Sequence, residues 1–186
     1  MKKRCTWARS ALAIEYHDKE WGRPVRDERK LFECLVLEGA QAGLSWETIL
    51  AKRENYRRAL QGFDYRKIAR YGARERRRLL ADPGIVRNRA KVASVVANAR
   101  AFLGVQREHG SFARYLRAFE GSKAGAAALS KDLRRRGFNF VGSTIMYAFM
   151  QAIGMVDDHE PGCYRCTERR LQPRPRARRG RRASRL

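Results

Sequence analysis

The sequence lacks an uninterrupted hydrophobic run long enough to cross a membrane. Its longest charge-free stretch, residues 137–156, is broken by Asn139, Ser143, Thr144, Gln151 and three glycines, whereas a spanning helix needs roughly 20 predominantly apolar residues. A buried core helix fits it better. A secretory leader is not expected either, because Met1-Lys2-Lys3-Arg4 runs into Cys5-Thr6-Trp7 with no apolar segment behind it. No segment alternates apolar and polar residues with period two, which argues against a sheet, and no long internal repeat is present. Acidic residues are scarce, 19 against 42 Lys and Arg, giving a net charge of +23. That surplus exceeds what solubility requires and favours a polyanionic partner, either nucleic acid or an anionic membrane surface. Residues 165–186 hold ten arginines and one acidic residue, Glu168, yet the remainder keeps an excess of 14 positive charges. The body of the chain is therefore basic without its tail.

Cysteine is also sparse: Cys5, Cys34, Cys163 and Cys166 are the four. Without a leader a reducing cytoplasm is the expected compartment, where paired cysteines more often hold metal than each other. What is present suits one helical domain. With 186 residues, 44% of them hydrophobic, the chain can bury one sizeable core. We expect a single helical domain over residues 1–166. Residues 167–186, rich in Arg and Pro with almost nothing to bury, are expected to form a disordered tail.

Helical signals run throughout. Asp27 caps a segment carrying Leu31 and Leu35, and Ser45 caps one carrying Ile49, Leu50, Tyr56 and Leu60. Further helices are expected over residues 74–80, 87–103, 115–119, 129–136 and 144–153, the last closed by Gly154.

Three groupings carry chemistry. Cys5 and His17 near the start and His159-x₃-Cys163 near the end supply two thiolates and two imidazoles, a complete tetrahedral set for a structural zinc joining the two ends. The plainer alternative is a free thiol, core histidines and an incidental Cys163-x-x-Cys166 pair, and Cys166 competes with Cys163 as fourth ligand. Residues 79–91 read as helix, tight turn and helix, with Gly84 at the turn, apolar Ile85 and Val86 inside it, and Arg87, Arg89 and Lys91 following. The amides at such a helix start grip a phosphate without reading sequence; an ordinary corner between two helices is the bland alternative. Finally, Leu31, Leu35, Glu38 and Ala42 share one helical stripe, which points a carboxylate where its neighbours are apolar. Such a group requires a donor, a cation or a ligand. Either a buried arginine or backbone amides satisfy it, or Tyr16, Trp21 and Trp46 gather round it as a pocket for a flat cationic ring.

Several segments together resemble the bacterial 3-methyladenine-DNA glycosylase I family. They are residues 16–22 (YHDKEWG), 37–46 (LEGAQAGLSW), 52–57 (KRENYR), 84–91 (GIVRNRAK), 130–133 (SKDL), 136–142 (RGFNFVG) and 147–152 (YAFMQA), in the family's order over roughly residues 5–163. The resemblance implies an all-α helix-hairpin-helix glycosylase fold whose ends are joined by Zn2+ on Cys5, His17, His159 and Cys163. It places Glu38 on the base-recognising carboxylate, Tyr16 and Trp46 on stacking walls, and Trp7 and Trp21 on pocket-lining positions. The activity implied is excision of 3-methyladenine from double-stranded DNA by a bacterial, cytoplasmic, nucleoid-associated monomer without membrane attachment. Residues 90–131 contain no Asp and no lysine nucleophile is evident, so monofunctional base release without strand cleavage is expected. Three departures stand out: Ser10-Ala11-Leu12-Ala13 is one residue shorter than the pattern and lacks a pocket aromatic; about fifteen residues are missing between Glu120 and Ser130, with Arg117 in place of a tryptophan; and the Arg-rich tail is foreign to the pattern. A catalytically impaired zinc-containing DNA-binding module of the same fold is the competing reading. A protein that binds RNA through its tail is a more distant one.

Overall fold

Helices begin where the sequence sets a short polar side chain against the first turn. Ser10, Asp27, Ser45, Asp64, Asn88, Ser111 and Ser122 each accept a hydrogen bond from a backbone N–H two or three residues on, an arrangement that stabilises a helix start by about 1 kcal/mol. The computed structural model describes residues 2–167. In chain order it contains α1 (Ala11–Lys19), α2 (Glu28–Gln41), α3 (Trp46–Ala59), α4 (Tyr65–Ile68), α5 (Ala73–Ala81), α6 (Arg89–His109), α7 (Phe112–Leu116), α8 (Lys123–Arg135) and α9 (Ser143–Ala152). Among the described residues there is no strand, and no helix is long and apolar enough to cross a membrane. The charge-free stretch ends up as α9 and its flanks, with Met146, Phe149 and Met150 fully buried. Apart from Thr167, the expected Arg-rich tail lies outside the described residues.

Several boundaries differ from the sequence-based expectation for local reasons. Asn88 caps α6, so that helix starts at Arg89 rather than Arg87; it continues to His109, where Gly110 at φ +82 stops it. Ser111 starts α7 at Phe112, ahead of the expected Tyr115, and Ser122 starts α8 at Lys123, ahead of Leu129. The connection into α8 and the first turn of that helix depend on two glycines. A Cβ on Gly121 would sit 2.0 Å from the Met155 carbonyl oxygen, and one on Gly125 would sit 1.8 Å from that of Glu120.

The main core surrounds α2, which packs against α3, α6, α7 and α9. Leu31, Phe32 and Leu35 on α2 have at most 1% exposure, and burying side chains of this size stabilises the fold by about 1.5–3 kcal/mol apiece. A second, smaller cluster joins the two ends of the chain: Cys5, Ala13, Tyr16 and Trp21 meet Leu50, Ala152, Cys163 and Cys166. Backbone contacts reinforce that seam. The Tyr164 amide donates to the Lys3 carbonyl at 2.8 Å, and the Thr6 amide donates to the Glu160 carboxylate at 2.9 Å. The candidate site lies where this seam meets α2.

Candidate active site

Glu38 sits on the buried face of α2 with 5% exposure, above Leu31 and Leu35 as the stripe requires. Ala42, the fourth member of the expected stripe, falls just past the helix as its C-cap. The buried arginine that might have neutralised Glu38 is Arg53 on α3, and it is engaged elsewhere. Its Nε donates to Glu33 at 2.7 Å, while its terminal nitrogens donate to Glu20 at 2.7 and 2.6 Å. Glu38 has no hydrogen-bond donor among the described residues. Burial without a partner disfavours its charged form and pushes its pKa up to about 8.

The Glu38 carboxylate borders a cavity of about 300 Å³, whose walls include Trp7, Tyr16, Trp21, Trp46 and Gln41. All four aromatic residues named by the resemblance are therefore brought together around this carboxyl group. Their arrangement is not a parallel sandwich. Tyr16 and Trp46 touch directly, with ring centroids 5.2 Å apart and planes tilted by 52°, so they form one folded wall. Trp7, 36% exposed at the rim, stands edge-on to Trp21 at 5.1 Å and 76°. Ala13, where the resemblance implied a missing aromatic, is buried in the same cluster as Tyr16 and Trp21. Arg117, the other departure, is the C-cap of α7 and borders a different cavity. Tyr16 stays protonated because burial, helped by the nearby Glu38 charge, holds its pKa well above the usual range.

Immediately behind Tyr16 in the chain, His17 belongs to a different group. Ligand atoms of Cys5, His17 and Cys163 all lie within 4.8 Å of one another and all three residues are buried. His17 Nδ1 faces the Asp18 carboxylate at 2.9 Å, leaving Nε2 directed at Cys163 Sγ, 3.4 Å away. A histidine oriented by a carboxylate in this way presents its other nitrogen for metal binding. Backbone amides of Glu160 and Arg165 donate to the sulfurs of Cys5 and Cys163 at 3.3 and 3.4 Å. His159 stacks on His17 at 5.2 Å and on Trp21 at 4.6 Å, and its Nδ1 is buried without a hydrogen-bond partner. All four cysteines are free thiols; Cys166 is buried in the same cluster but outside the close group of three.

The turn between α5 and α6 is anchored to α3. The Gly84 carbonyl accepts from Asn55 Nδ2 at 3.2 Å, the Val86 amide donates to the Tyr56 hydroxyl at 3.2 Å, and the Gly84 amide donates to Asp82 at 2.8 Å. Gly84 is needed for this close approach, since a Cβ would lie 2.9 Å from Asn55 Cβ. Ile85 is core rather than surface, 4% exposed. Arg87 and Arg89 are exposed, and the amides of Arg87, Arg89 and Ala90 have no acceptor among the described residues. Lys91 is turned inward, contrary to its expected role: its ammonium donates to the carbonyls of Ala40 and Ala42 at 2.8 and 2.6 Å and caps the end of α2. A cation at a helix C-terminus is favourably placed, and Lys91 is thereby removed from the outer face.

The sequence reading did not single out Gln151, Asp158 and Glu160, which border the cavity from the far end of the chain, nor Leu44. Leu44 is 40% exposed in the turn between α2 and α3, which Gly43 forms at φ +74. Its local signal was an apolar residue between Gly43 and the Ser45 cap.

The arrangement thus combines a buried carboxyl group, aromatic walls and an adjoining thiol–imidazole group. The family model for methyladenine glycosylase matches residues 7–166. The DNA-3-methyladenine glycosylase 1 of Escherichia coli (strain K12) is 44% identical, over 87% of this chain and 95% of its own length. A crystal structure of 3-methyladenine DNA glycosylase I superposes with a TM-score of 0.84 at 45% identity, covering 87% of this chain and 98% of the other. A structure showing the basis of 3-methyladenine recognition by the Staphylococcus aureus enzyme gives a TM-score of 0.82 at 34% identity, with 87% and 95% covered. The chain belongs to the methyladenine glycosylase family.

Proposed function

We propose that this chain is a monofunctional base-excision glycosylase that releases 3-methyladenine from alkylated double-stranded DNA. The observation that carries the reading is Glu38: a buried carboxylate with no internal partner, facing a cavity of about 300 Å³ walled by tryptophan and tyrosine. Methylation at N3 makes adenine cationic and weakens its bond to the sugar. The protein therefore needs chiefly to extract the base and hold it. Tyr16 and Trp46 provide the stacking surface, with Trp7 and Trp21 completing the walls. Glu38 accepts a hydrogen bond from the exocyclic amine and balances the ring's charge. Leu44, exposed in the turn just ahead of α3, is the apolar side chain available to fill the gap left in the base stack. The cavity lining contains no lysine, which favours hydrolysis over a covalent route that cleaves the strand.

The turn between α5 and α6 supports the helix-hairpin-helix reading. Free amides at the start of α6, flanked by exposed Arg87 and Arg89, suit a DNA phosphate. Cys5, His17 and Cys163, whose ligand atoms lie within 4.8 Å of one another, suit Zn2+, with His159, stacked on His17 but outside that close group of three, as the fourth ligand. A closed set of this kind would supply no bond-breaking chemistry and would stabilise the seam between the chain ends.

Release of free 3-methyladenine from methylated DNA tests the reading. Wild-type protein is expected to release the base and leave the strand uncut, and Glu38→Gln to lower the rate at least roughly 100-fold with metal content unchanged. Undiminished release by Glu38→Gln would refute the assignment.

A further inference from the structure

Three carboxylates border the cavity, and they differ in what holds them. Glu160 is occupied: its oxygens accept the Thr6 amide at 2.9 Å and the Thr6 hydroxyl at 2.6 Å. Glu38 lies at the floor, buried and without a donor. Asp158 is exposed at the mouth. Its Oδ2 accepts from the Tyr147 hydroxyl at 2.7 Å and from Gln151 Nε2 at 2.6 Å. Both anchors come from α9, a helix packed into the core, so the carboxylate is fixed in place. Its Oδ1 has no donor, and no lysine or arginine pairs with it, among the described residues. A net charge of +23 makes such an unpaired acid conspicuous.

We propose that Asp158 is the fixed anion that faces the deoxyribose during base release and stabilises the positive charge growing on the sugar. The proposal rests on the glycosylase reading above. A base seated against Glu38 at the floor directs its sugar toward the mouth, where Asp158 stands. As the C1′–N9 bond breaks, its electron pair leaves with the base and cancels the ring's charge. C1′ becomes electron-poor, a water oxygen bonds to it, and the water's proton passes to solvent. Asp158 forms no bond to the sugar. Its contribution is a preorganised negative charge where positive charge develops, which acts on the transition state rather than on binding of the ground state. A DNA-binding surface rich in arginine opposes a cationic sugar, and a local anion offsets that opposition.

The experiment is single-turnover base release from duplex DNA carrying one 3-methyladenine, measured alongside binding of the same duplex and of free 3-methyladenine. Asp158→Asn removes the charge while keeping an oxygen for Tyr147 and Gln151. The expected result is a rate lowered about 100- to 1,000-fold, with both affinities and the melting temperature little changed. Glu38→Gln, in contrast, weakens binding of the free base. Tyr147→Phe, which removes one anchor and leaves the charge, is expected to lower the rate by roughly tenfold without altering affinity. Base release by Asp158→Asn at the wild-type rate overturns the proposal. So does a loss of rate matched by an equal loss of lesion affinity, which assigns Asp158 to binding. Wild-type protein that releases no 3-methyladenine overturns the glycosylase reading itself, and this proposal with it.

Discussion

Raising the pH from 6 to 9 titrates the group on which base recognition depends most directly. Glu38 binds a cationic base as a carboxylate, yet in the empty pocket its pKa is raised to about 8 by burial. The ionised fraction of the free protein is then about 1% at pH 6, about 9% at pH 7 and about 91% at pH 9. Because kcat/KM reports the free enzyme, it should climb nearly tenfold per pH unit up to about pH 7. It should then bend near pH 8 and level off, a rise of roughly 90-fold overall. The substrate's charge is fixed by methylation across this range, and Tyr16 is held well above it, so neither contributes a competing inflection. The assay is initial-rate release of 3-methyladenine from methylated duplex DNA at constant ionic strength, for the wild type and for Glu38→Gln. The variant, with nothing to ionise at that position, should be slow and flat. A wild-type profile that is flat from pH 6 to 9, or a variant profile with the same slope, would show that the unpartnered carboxylate does not set recognition.

The same group should leave a mark on stability. Its pKa is raised in the fold from 4.5 to about 8, so its burial is harmless below pH 4.5 and increasingly unfavourable from there to pH 8. Glu38→Gln is therefore expected to melt higher than the wild type at pH 9 by more than it does at pH 5; equal differences at both would refute the linkage. On the DNA side, Arg87→Ala with Arg89→Ala should reduce the slope of log affinity against log salt by about 2, whereas Lys91→Ala should leave that slope unchanged and lower the melting temperature, because its ammonium caps α2. Gly121→Ala forces a Cβ to within 2.0 Å of a backbone oxygen, so thermal denaturation should show a loss of several kcal/mol; a loss below about 1 kcal/mol would mean that the loop yields easily.

The helical class and the position of Glu38 were legible because each depends on local spacing. Asp27 and Ser45 cap as expected, and the Leu31–Leu35–Glu38 stripe is buried as one face. Weak periodicity hid α1 and α4: the first carries only three buried residues, and the second is a single turn capped by Asp64. Side-chain direction was less accessible than element type. Lys91 follows the turn in sequence as a phosphate contact would, yet the end of α2 lies within its reach. Nor does spacing reveal that Arg53 spends its donors on Glu20 and Glu33 and thereby leaves Glu38 alone. Asp158 was invisible for a related reason, since only the folded chain brings it into one lining with Tyr16 and Glu38.

The pocket's lining runs from Trp7 to Glu160, and this has a consequence for how the protein comes into being. While the chain is being synthesised, α2 can begin collecting its apolar partners long before the last lining residues have left the ribosome. Glu38 then waits, open to solvent on one side, until the final segment arrives and encloses it. The cavity is thus completed only when the segments around Trp7 and Glu160, far apart in sequence, meet.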